Sequence, residues 1–210
     1  MSGLRAKQKV DRNNRILEAA ADLFKKSGYE AVKIGDIAIA AEVSIGTIYN
    51  YYHNKGDLLV AIVSMEVHEV LRAGAGIVAK PPQNTSEAIN SLVGTYYDHS
   101  LVYLSKEMWR VAMSISMQQS VSPFGLAYTK LDEALAKQTC ALIKVLQNQH
   151  LVRADCDASA VGEIIFNNLN MMFASFVKDE TMTLNKLRKK IRVQNSALVS
   201  LINQIGRAHV

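Results

Sequence analysis

The residues best suited to molecular recognition lie in one stretch, residues 43–55, with the sequence VSIGTIYNYYHNK. It is rich in hydroxyl and amide groups, and its only formal charge at pH 7 is the closing Lys55. Such groups donate and accept hydrogen bonds, so they suit contacts with nucleic-acid base edges and phosphates. The pattern therefore favours a surface that reads DNA.

Two helix starts frame this stretch. Ser44 can cap a first helix by accepting a hydrogen bond from the backbone N–H of Gly46 or Thr47. Asn54 can cap a second helix, with Asp57 three residues later as the acid of a capping box. Only about two turns of helix fit between the two starts.

One face of that short helix is predicted to point inward. Ile48 and Tyr52 are four residues apart and therefore share a face. The other side chains form the remaining surface: Ile45, Thr47, Tyr49, Asn50 and Tyr51. We expect this surface to be the one that contacts DNA.

A second short helix must hold the reading helix in place. Ile34, Ile37, Ala38 and Ala41 recur at i, i+3, i+4 and i+7, so residues 33–41 are predicted to form an amphipathic helix with a small apolar face. A tight turn at Glu42-Val43 then joins the two helices. This order is the helix-turn-helix plan of DNA-binding proteins.

The stretch DIAIAAEVSIGTIYNYYHNKGDLL resembles the signature of the tetracycline-repressor (TetR) family. The family pattern is roughly an Ala-Ala-Gly-Val-Ser-x-Gly turn, a Tyr-x-Tyr-Phe run, and then Lys and an apolar helix. This chain keeps the following residues of the pattern: Ala40, Ala41, Val43, Ser44, Gly46, Tyr49, Tyr51 and Lys55.

The chain departs from the family pattern at three positions. Glu42 stands where the family usually has Gly, which costs on the order of 1 kcal/mol if the backbone there is left-handed. Lys33 stands where a capping Thr or Ser is common, and it offers a phosphate contact instead. Tyr52 replaces the usual core Phe, so its hydroxyl needs a hydrogen-bond partner or water.

The resemblance implies a homodimer that binds a near-palindromic double-stranded DNA operator and represses transcription by occlusion. Thr47 and Asn50 are the candidates for base-edge contacts, and Ile45 for contact with a thymine methyl group. Ser44, Tyr49 and Tyr51 are predicted to hold phosphates or to serve as turn and core scaffolding, and Gly46 is a further candidate DNA-binding residue. Lys33 and Lys55 are predicted to contact phosphates, with a solvated surface lysine as the alternative. Among them, Lys55 is expected to give the stronger phosphate contact because it opens the fourth helix.

The predicted fold is all-α, with about nine helices in two domains. Residues 1–55 form a three-helix DNA-binding domain, with residues 1–10 as a basic arm that lies along phosphates, enters a minor groove or is a solvated tail. Residues 56–80 form a connecting helix, and residues 81–204 form a helical ligand-binding and dimerisation domain. The boundary is predicted within GAGIVAKPPQN, residues 74–84, because glycines and then Pro81-Pro82 break the helical pattern.

The individual helices are predicted over residues 11–27, 33–41, 86–104, 105–119, 124–150, 157–177 and 184–205, with the reading helix and a helix after Asn54. The last two are predicted to form the dimer interface of the resembled family, with an intrachain core as the alternative. A repeat with alternating steps of three and four indicates a helix–helix seam, with one polar member, Gln194: Leu184, Leu187, Ile191, Gln194, Leu198, Leu201 and Ile205.

The resemblance also implies an effector site for a small, largely apolar or aromatic molecule in the C-terminal domain. Aromatic and methionine side chains suit such a ligand, although the same spacing also fits an ordinary core. The candidate lining residues are Tyr96, Tyr97, Tyr103, Trp109, Met113, Met117, Phe166 and Asn170. Ligand binding is expected to act on the reading helices through the fourth helix.

Composition and motifs argue against several other classes of protein. The five histidines are scattered, and the motifs of common metal, phosphate and nucleophile sites do not occur, so neither an enzyme nor a cofactor is expected. The net charge of +5 favours an anionic partner, and no run approaches a membrane span, so a soluble, cytoplasmic protein is expected. A TetR-like fold that acts through a protein partner without binding DNA is the alternative.

The two cysteines and the last six residues are given no functional role. Cys140 and Cys156 are read as reduced structural thiols. The last six residues, IGRAHV, coincide with one reading frame of a common sequencing adapter, so residues 205–210 are interpreted as a possible artefact and carry no functional assignment.

Overall fold

The computed structural model describes residues 2–203, with side chains from residue 6 onward. Over these residues the fold is all-α with nine helices, as predicted. The helices are α1 (Ser2–Ser27), α2 (Ile34–Ala40), α3 (Ile45–Tyr49), α4 (Lys55–Ala79), α5 (Thr85–His99), α6 (Lys106–Gln118), α7 (Pro123–Asn148), α8 (Ala158–Lys178) and α9 (Leu184–Ile202). Ile205 and the rest of the possible artefactual tail lie outside the described residues.

The helices form two compact units whose limits differ from the predicted domains. One unit combines Met1–Glu66 with Leu101–Thr129, and the other combines Val67–Ser100 with Lys130–Val210. Helix α6 and the start of α7 therefore belong with the three-helix bundle rather than with α8 and α9. We call the first the bundle unit and the second the α8–α9 unit.

Helix α1 is longer than predicted. It begins at Ser2, so the basic stretch assigned to an arm at residues 1–10 is helical from its second residue. The predicted end is confirmed: Gly28 has a φ of 83°, and the Tyr29 ring packs on Phe24 with the ring centroids 5.1 Å apart. Only glycine adopts this left-handed stop without strain.

The predicted break at Gly74 is wrong, because α4 continues to Ala79. A side chain at Gly74 would collide with Gln138 and would lie 2.9 Å from Leu92 Cδ1. Gly74 is thus needed for close packing and not for a turn. The interruption comes only at Pro81-Pro82, where the missing N–H groups prevent the helix from continuing.

Helix α9 packs against α5 and α8, so part of the predicted seam faces the chain's own core. Its inward face is fully used within the chain, so Leu187 and Ile191 are core residues and do not face a partner. Asn195 on the same face is only 1% exposed, and its amide donates to Asn90 Oδ1 at 3.0 Å. This buried pair satisfies its polar groups and fixes the register of α9 on α5.

Helix α8 is long and apolar enough, by length and composition alone, to cross a membrane. In this structure α8 contributes to the protein core instead, because nine of its 21 residues are buried. Those nine include Val161, Ile165, Leu169, Phe173 and Phe176, which the sequence placed at an interface.

Candidate nucleic-acid interface

The turn between α2 and α3 has the tight geometry that the motif predicts. The Val43 N–H donates to Ala38 O at 3.0 Å, and Glu42 has a φ of 55°. The backbone at Glu42 is therefore left-handed, and Glu42 adopts this conformation despite its Cβ. Arg15 Nη1 lies 3.8 Å from Glu42 Oε2 and links the turn to α1.

Helix α3 is held by its first residue and by its buried face. Ser44 Oγ accepts a hydrogen bond from the Thr47 N–H at 3.1 Å, as predicted for the cap. Ile48 and Tyr52 are 0% and 9% exposed, so the predicted inward face is confirmed. The Tyr52 hydroxyl donates to Asn13 Oδ1 at 2.7 Å, and burial raises the pKa of this hydroxyl to about 12.

The opposite face of α3 is open. Ile45 and Tyr49 are each 49% exposed, Gly46 and Asn50 are exposed, and Thr47 is half-buried. It is unusual for two large side chains such as Ile45 and Tyr49 to be this exposed on a helix of five residues. The Thr47 hydroxyl and the amide of Asn50, which caps the helix, lie beside them. The arrangement suits a helix whose outer surface is covered by DNA.

Lys55 has a structural role that the sequence did not predict. Its ammonium donates to Tyr29 O, Glu30 O and Val32 O at 2.7, 3.0 and 3.3 Å, and it lies 4.4 Å from the centre of the Tyr29 ring. An ammonium has three donors, and these carbonyl groups use them all. Lys55 thus closes the segment between α1 and α2, and its predicted phosphate contact stays a prediction.

The other predicted phosphate contacts have different surroundings. Lys33 is exposed just before α2, and its backbone N–H donates to Asp36 Oδ2 at 3.0 Å. Tyr51 is turned toward α1, where its hydroxyl donates to Lys9 O at 3.3 Å. The Lys9 ammonium lies 5.9 Å from the centre of the Tyr51 ring. Tyr51 therefore holds α1 beside the reading helix.

Helix α4 begins with the predicted cap. The Asp57 N–H donates to Asn54 Oδ1 at 2.9 Å, and Asp57 Oδ2 in turn accepts from the His53 N–H at 2.8 Å. The acid thus reaches one residue further back than in the standard capping box. These bonds fix the chain that leaves α3.

The bundle unit also fixes the start of α6. Glu107 Oε1 accepts from the Tyr29 N–H at 3.2 Å, and the Lys25 ammonium donates to Leu101 O and Val102 O at 3.3 and 2.7 Å. On α4, Glu66 is 1% exposed and accepts from the Tyr103 N–H at 3.1 Å. The sequence analysis missed these residues because their partners are 37 to 78 positions away.

The residues predicted for the effector site are divided between the two units. Tyr103, Trp109, Met113 and Met117 belong to the bundle unit, while Tyr96, Tyr97, Phe166 and Asn170 belong to the α8–α9 unit. Met117 is 80% exposed and is no part of an apolar lining in this structure.

Within the α8–α9 unit, some of these residues come together. The Tyr97 hydroxyl donates to Leu169 O at 2.8 Å, and this bond brings α5 to the segment of α8 that carries Phe166 and Asn170. Tyr96 donates to Gln138 Oε1 at 2.7 Å. Burial raises the pKa of both tyrosines, and both hydroxyl groups are engaged in the core.

Comparison with known proteins is consistent with this geometry. The family model for bacterial regulatory proteins of the tetR family matches residues 16–62. An HTH-type transcriptional repressor KstR from Rhodococcus jostii (strain RHA1) is 34% identical over 83 residues, which are 40% of this chain and 39% of that protein. The chain spans between 31% and 39% of the length of the curated KstR repressors that it matches.

Two solved structures share the fold over nearly the whole chain. FadR from Bacillus subtilis in complex with stearoyl-CoA has a TM-score of 0.67 at 18% identity, and 90% of this chain and 98% of that chain are covered. A TetR-family transcriptional regulator from Pectobacterium atrosepticum has a TM-score of 0.67 at 20% identity, with 94% of each chain covered. The helix-turn-helix motif and the family model agree that residues 16–62 match the DNA-binding domain of the tetR family of bacterial regulatory proteins, and the chain shares the fold of a solved TetR-family regulator.

Proposed function

We propose that this protein is a DNA-binding transcriptional regulator, most simply a cytoplasmic repressor that occupies a palindromic operator as a homodimer. The single observation that supports this most is the open face of α3, where Ile45, Tyr49 and Asn50 are exposed on a helix fixed by Ser44 and Ile48. The alternative, action through a protein partner without DNA binding, does not explain why an amide and a hydroxyl are presented in this geometry. Selection from random-sequence DNA tests the proposal.

Within this interface, Asn50 and Thr47 are proposed to contact base edges, and Ile45 a thymine methyl group. Lys33 and Tyr49 are proposed to contact phosphates, since both are exposed beside α3 or α2. Ser44 and Gly46 are better explained as the cap and first turn of α3, although their exposed backbone allows a phosphate nearby.

The proposed dimer forms through the faces of α8 and α9 that the chain leaves uncovered. Ile164 and Met171 on α8 are 53% and 67% exposed, and Val193 and Leu201 on α9 are 72% and 69% exposed. Asn168 Nδ2 donates to Gln194 Oε1 at 3.1 Å and ties the two helices together within the chain. Their exposed apolar side chains repeat at helical spacing, and a second copy of the same face would cover them.

Replacing Met171 by Glu is expected to convert the dimer to a monomer. An unpaired charge in an apolar interface costs about 3 kcal/mol or more, which is more than about a 100-fold rise in the dissociation constant. Sedimentation velocity over a concentration series measures this change. Val121→Glu is the matched control, because Val121 is 86% exposed in the bundle unit and its replacement should leave the dimer intact. A dimeric Met171→Glu protein would place the interface elsewhere.

We further propose that a small, largely apolar effector releases the operator. The aromatic and amide groups of α5 and α8 in the α8–α9 unit support this assignment, with Tyr96, Tyr97, Phe166 and Asn170 as candidate contacts. FadR, which shares the fold, binds stearoyl-CoA. Fatty acids and acyl-CoA esters are therefore the first compounds to test, and α4, which runs through both units, is the proposed route to the reading helices.

An acyl ligand of the right length is expected to raise the melting temperature and to weaken operator binding. At 100 times its dissociation constant it should stabilise the protein by about 2.7 kcal/mol. Emission of Trp109, the only tryptophan, gives a second readout. Asn170→Ala should weaken ligand binding, whereas Asn167→Ala, at an exposed position three residues earlier on α8, should not. Equal affinities of the two variants would contradict the assignment of Asn170.

A further inference from the structure

The first turns of α1 extend beyond the core of the bundle unit. Ile16 is the first buried residue described in the chain, and residues 6–12 are all exposed. At about 1.5 Å per residue, the helix from Ala6 to Ile16 is about 15 Å long. An exposed helical extension of this length has no packing role of its own, so its side chains are available for a partner.

This extension and the reading helix form the two walls of a cleft of about 400 Å³. The lining residues are Gln8, Lys9, Arg12, Thr47, Asn50 and Tyr51. Every one of them can donate a hydrogen bond from its side chain, two are cationic and none is acidic. Gln8 and Arg12 are four residues apart, so they lie on the same face of α1.

The cleft is held open in a defined geometry by contacts from Tyr51. The Tyr51 hydroxyl donates to the Lys9 carbonyl at 3.3 Å, and the Lys9 ammonium lies over the Tyr51 ring. One turn further along α1, Asn13 accepts from the Tyr52 hydroxyl at 2.7 Å. Two successive tyrosines thus fix the angle between α1 and the reading helix.

We infer that this cleft receives a phosphate of the DNA backbone beside the bases that α3 contacts, with Arg12 and Lys9 as its cationic ligands. The inference rests on the proposed function, because it assigns a further part of the same DNA interface. The DNA contact is then made by a rigid helix, α1, and not by the basic arm that the sequence predicted at residues 1–10. Tyr51 is then a positioning residue that acts through Lys9.

A phosphate fits the cleft better than a base does. Guanidinium and ammonium groups are the usual phosphate ligands of proteins, and here both lie on the α1 wall of an acid-free cleft, opposite the Thr47 and Asn50 that are proposed to contact bases. A helix is also too wide to enter a minor groove of about 6 Å as an extended arm would. Contacts of this kind raise affinity for all sequences about equally and increase its dependence on salt.

The test measures operator affinity of the full chain over a range of salt concentrations. Arg12→Ala removes one contact per protomer and is expected to lower the slope of log K against log salt by about 2 for the dimer, so that the wild-type loss of affinity between 50 and 200 mM salt shrinks by about 12-fold. The loss should be the same for operator and unrelated DNA. Lys26→Ala is the control, because Lys26 is an exposed residue of the same helix about 21 Å from Arg12 and should leave the slope unchanged.

Tyr51 is tested by a double-mutant cycle with Lys9. Tyr51→Leu should lower the salt slope as much as Lys9→Ala does, and the double variant should lose no more than either single variant. A purely structural role for Tyr51 would alter the melting temperature without altering the slope. Tyr51→Phe, which keeps the ring under Lys9, should retain most of the slope.

Two results separate this inference from the proposed function. If the wild-type protein selects a DNA motif but Arg12→Ala keeps its full salt slope, the cleft does not bind phosphate and only this inference is overturned. If Arg12→Ala instead changes the preferred base at one position, the cleft contacts a base and the phosphate assignment is overturned. If the wild-type protein binds no DNA, the proposed function itself is wrong.

Discussion

A Lys55→Ala protein is expected to lose about 2–4 kcal/mol of stability, because the substitution removes charge-assisted hydrogen bonds to three carbonyl groups and a cation–π contact. For a chain of this length the melting temperature should fall by about 5–15 °C. The carbonyl groups of Tyr29 and Val32 are only partly accessible to water, so solvent replaces the lost donors incompletely. Thermal unfolding followed by circular dichroism measures the change.

Lys33→Ala is the matched comparison, since Lys33 is an exposed lysine of the same bundle unit. It should change the melting temperature little and should lower the salt slope of DNA binding by about 2 for the dimer, with one contact per protomer. The two lysines therefore separate a structural role from a phosphate contact. If Lys55→Ala left the melting temperature unchanged and lowered the salt slope, the prediction from the sequence motif would be right and the structural role wrong.

The second large effect is expected at Gly162, where α8 crosses α7. A Cβ at Gly162 would lie 2.6 Å from the backbone nitrogen of Cys140 and 2.8 Å from its Sγ. A hydrogen bond also joins the two helices here, since Thr139 Oγ1 donates to Gly162 O at 2.9 Å. Gly162→Ala forces the two helices apart and should cost about 1–3 kcal/mol, or more if the hydrogen bond breaks.

A second glycine, Gly94, provides a control in which substitution by alanine should raise stability rather than lower it. Gly94 lies within α5, and a Cβ there would meet nothing within 4 Å. Gly94→Ala should therefore stabilise the protein by about 0.5–1 kcal/mol, because alanine loses less backbone freedom on folding. Urea unfolding of both variants tests the pair. A neutral Gly162→Ala variant would mean that α7 and α8 do not approach as closely as described.

Local signals in the sequence were sufficient for the DNA-binding motif. Gly28 ends α1, Ser44 caps α3 and Asn54 caps α4, and each of these predictions depended on residues within four positions along the chain. Where the cause of a feature lies nearby in the chain, the sequence is informative.

Features whose causes are distant along the chain were not predicted. Gly74 reads as a helix break until its neighbours Gln138 and Leu92 are known, and Lys55 reads as a free cation until the carbonyl groups before α2 surround it. Periodicity likewise shows that Trp109 and Tyr97 face inward but not that they belong to different compact units. The predicted effector site therefore stays a prediction, with its residues divided between the two units.

Selection from random-sequence DNA with the full-length protein tests the central claim most directly. We expect an enriched motif with two-fold symmetry, because two copies of α3 related by a dimer axis contact repeated half-sites. The Asn50→Ala protein should lose discrimination by about 1–3 kcal/mol at one symmetric pair of positions and keep its preference elsewhere. Failure to enrich any symmetric motif, with the protein folded and dimeric, would contradict the account of this chain as a DNA-reading regulator.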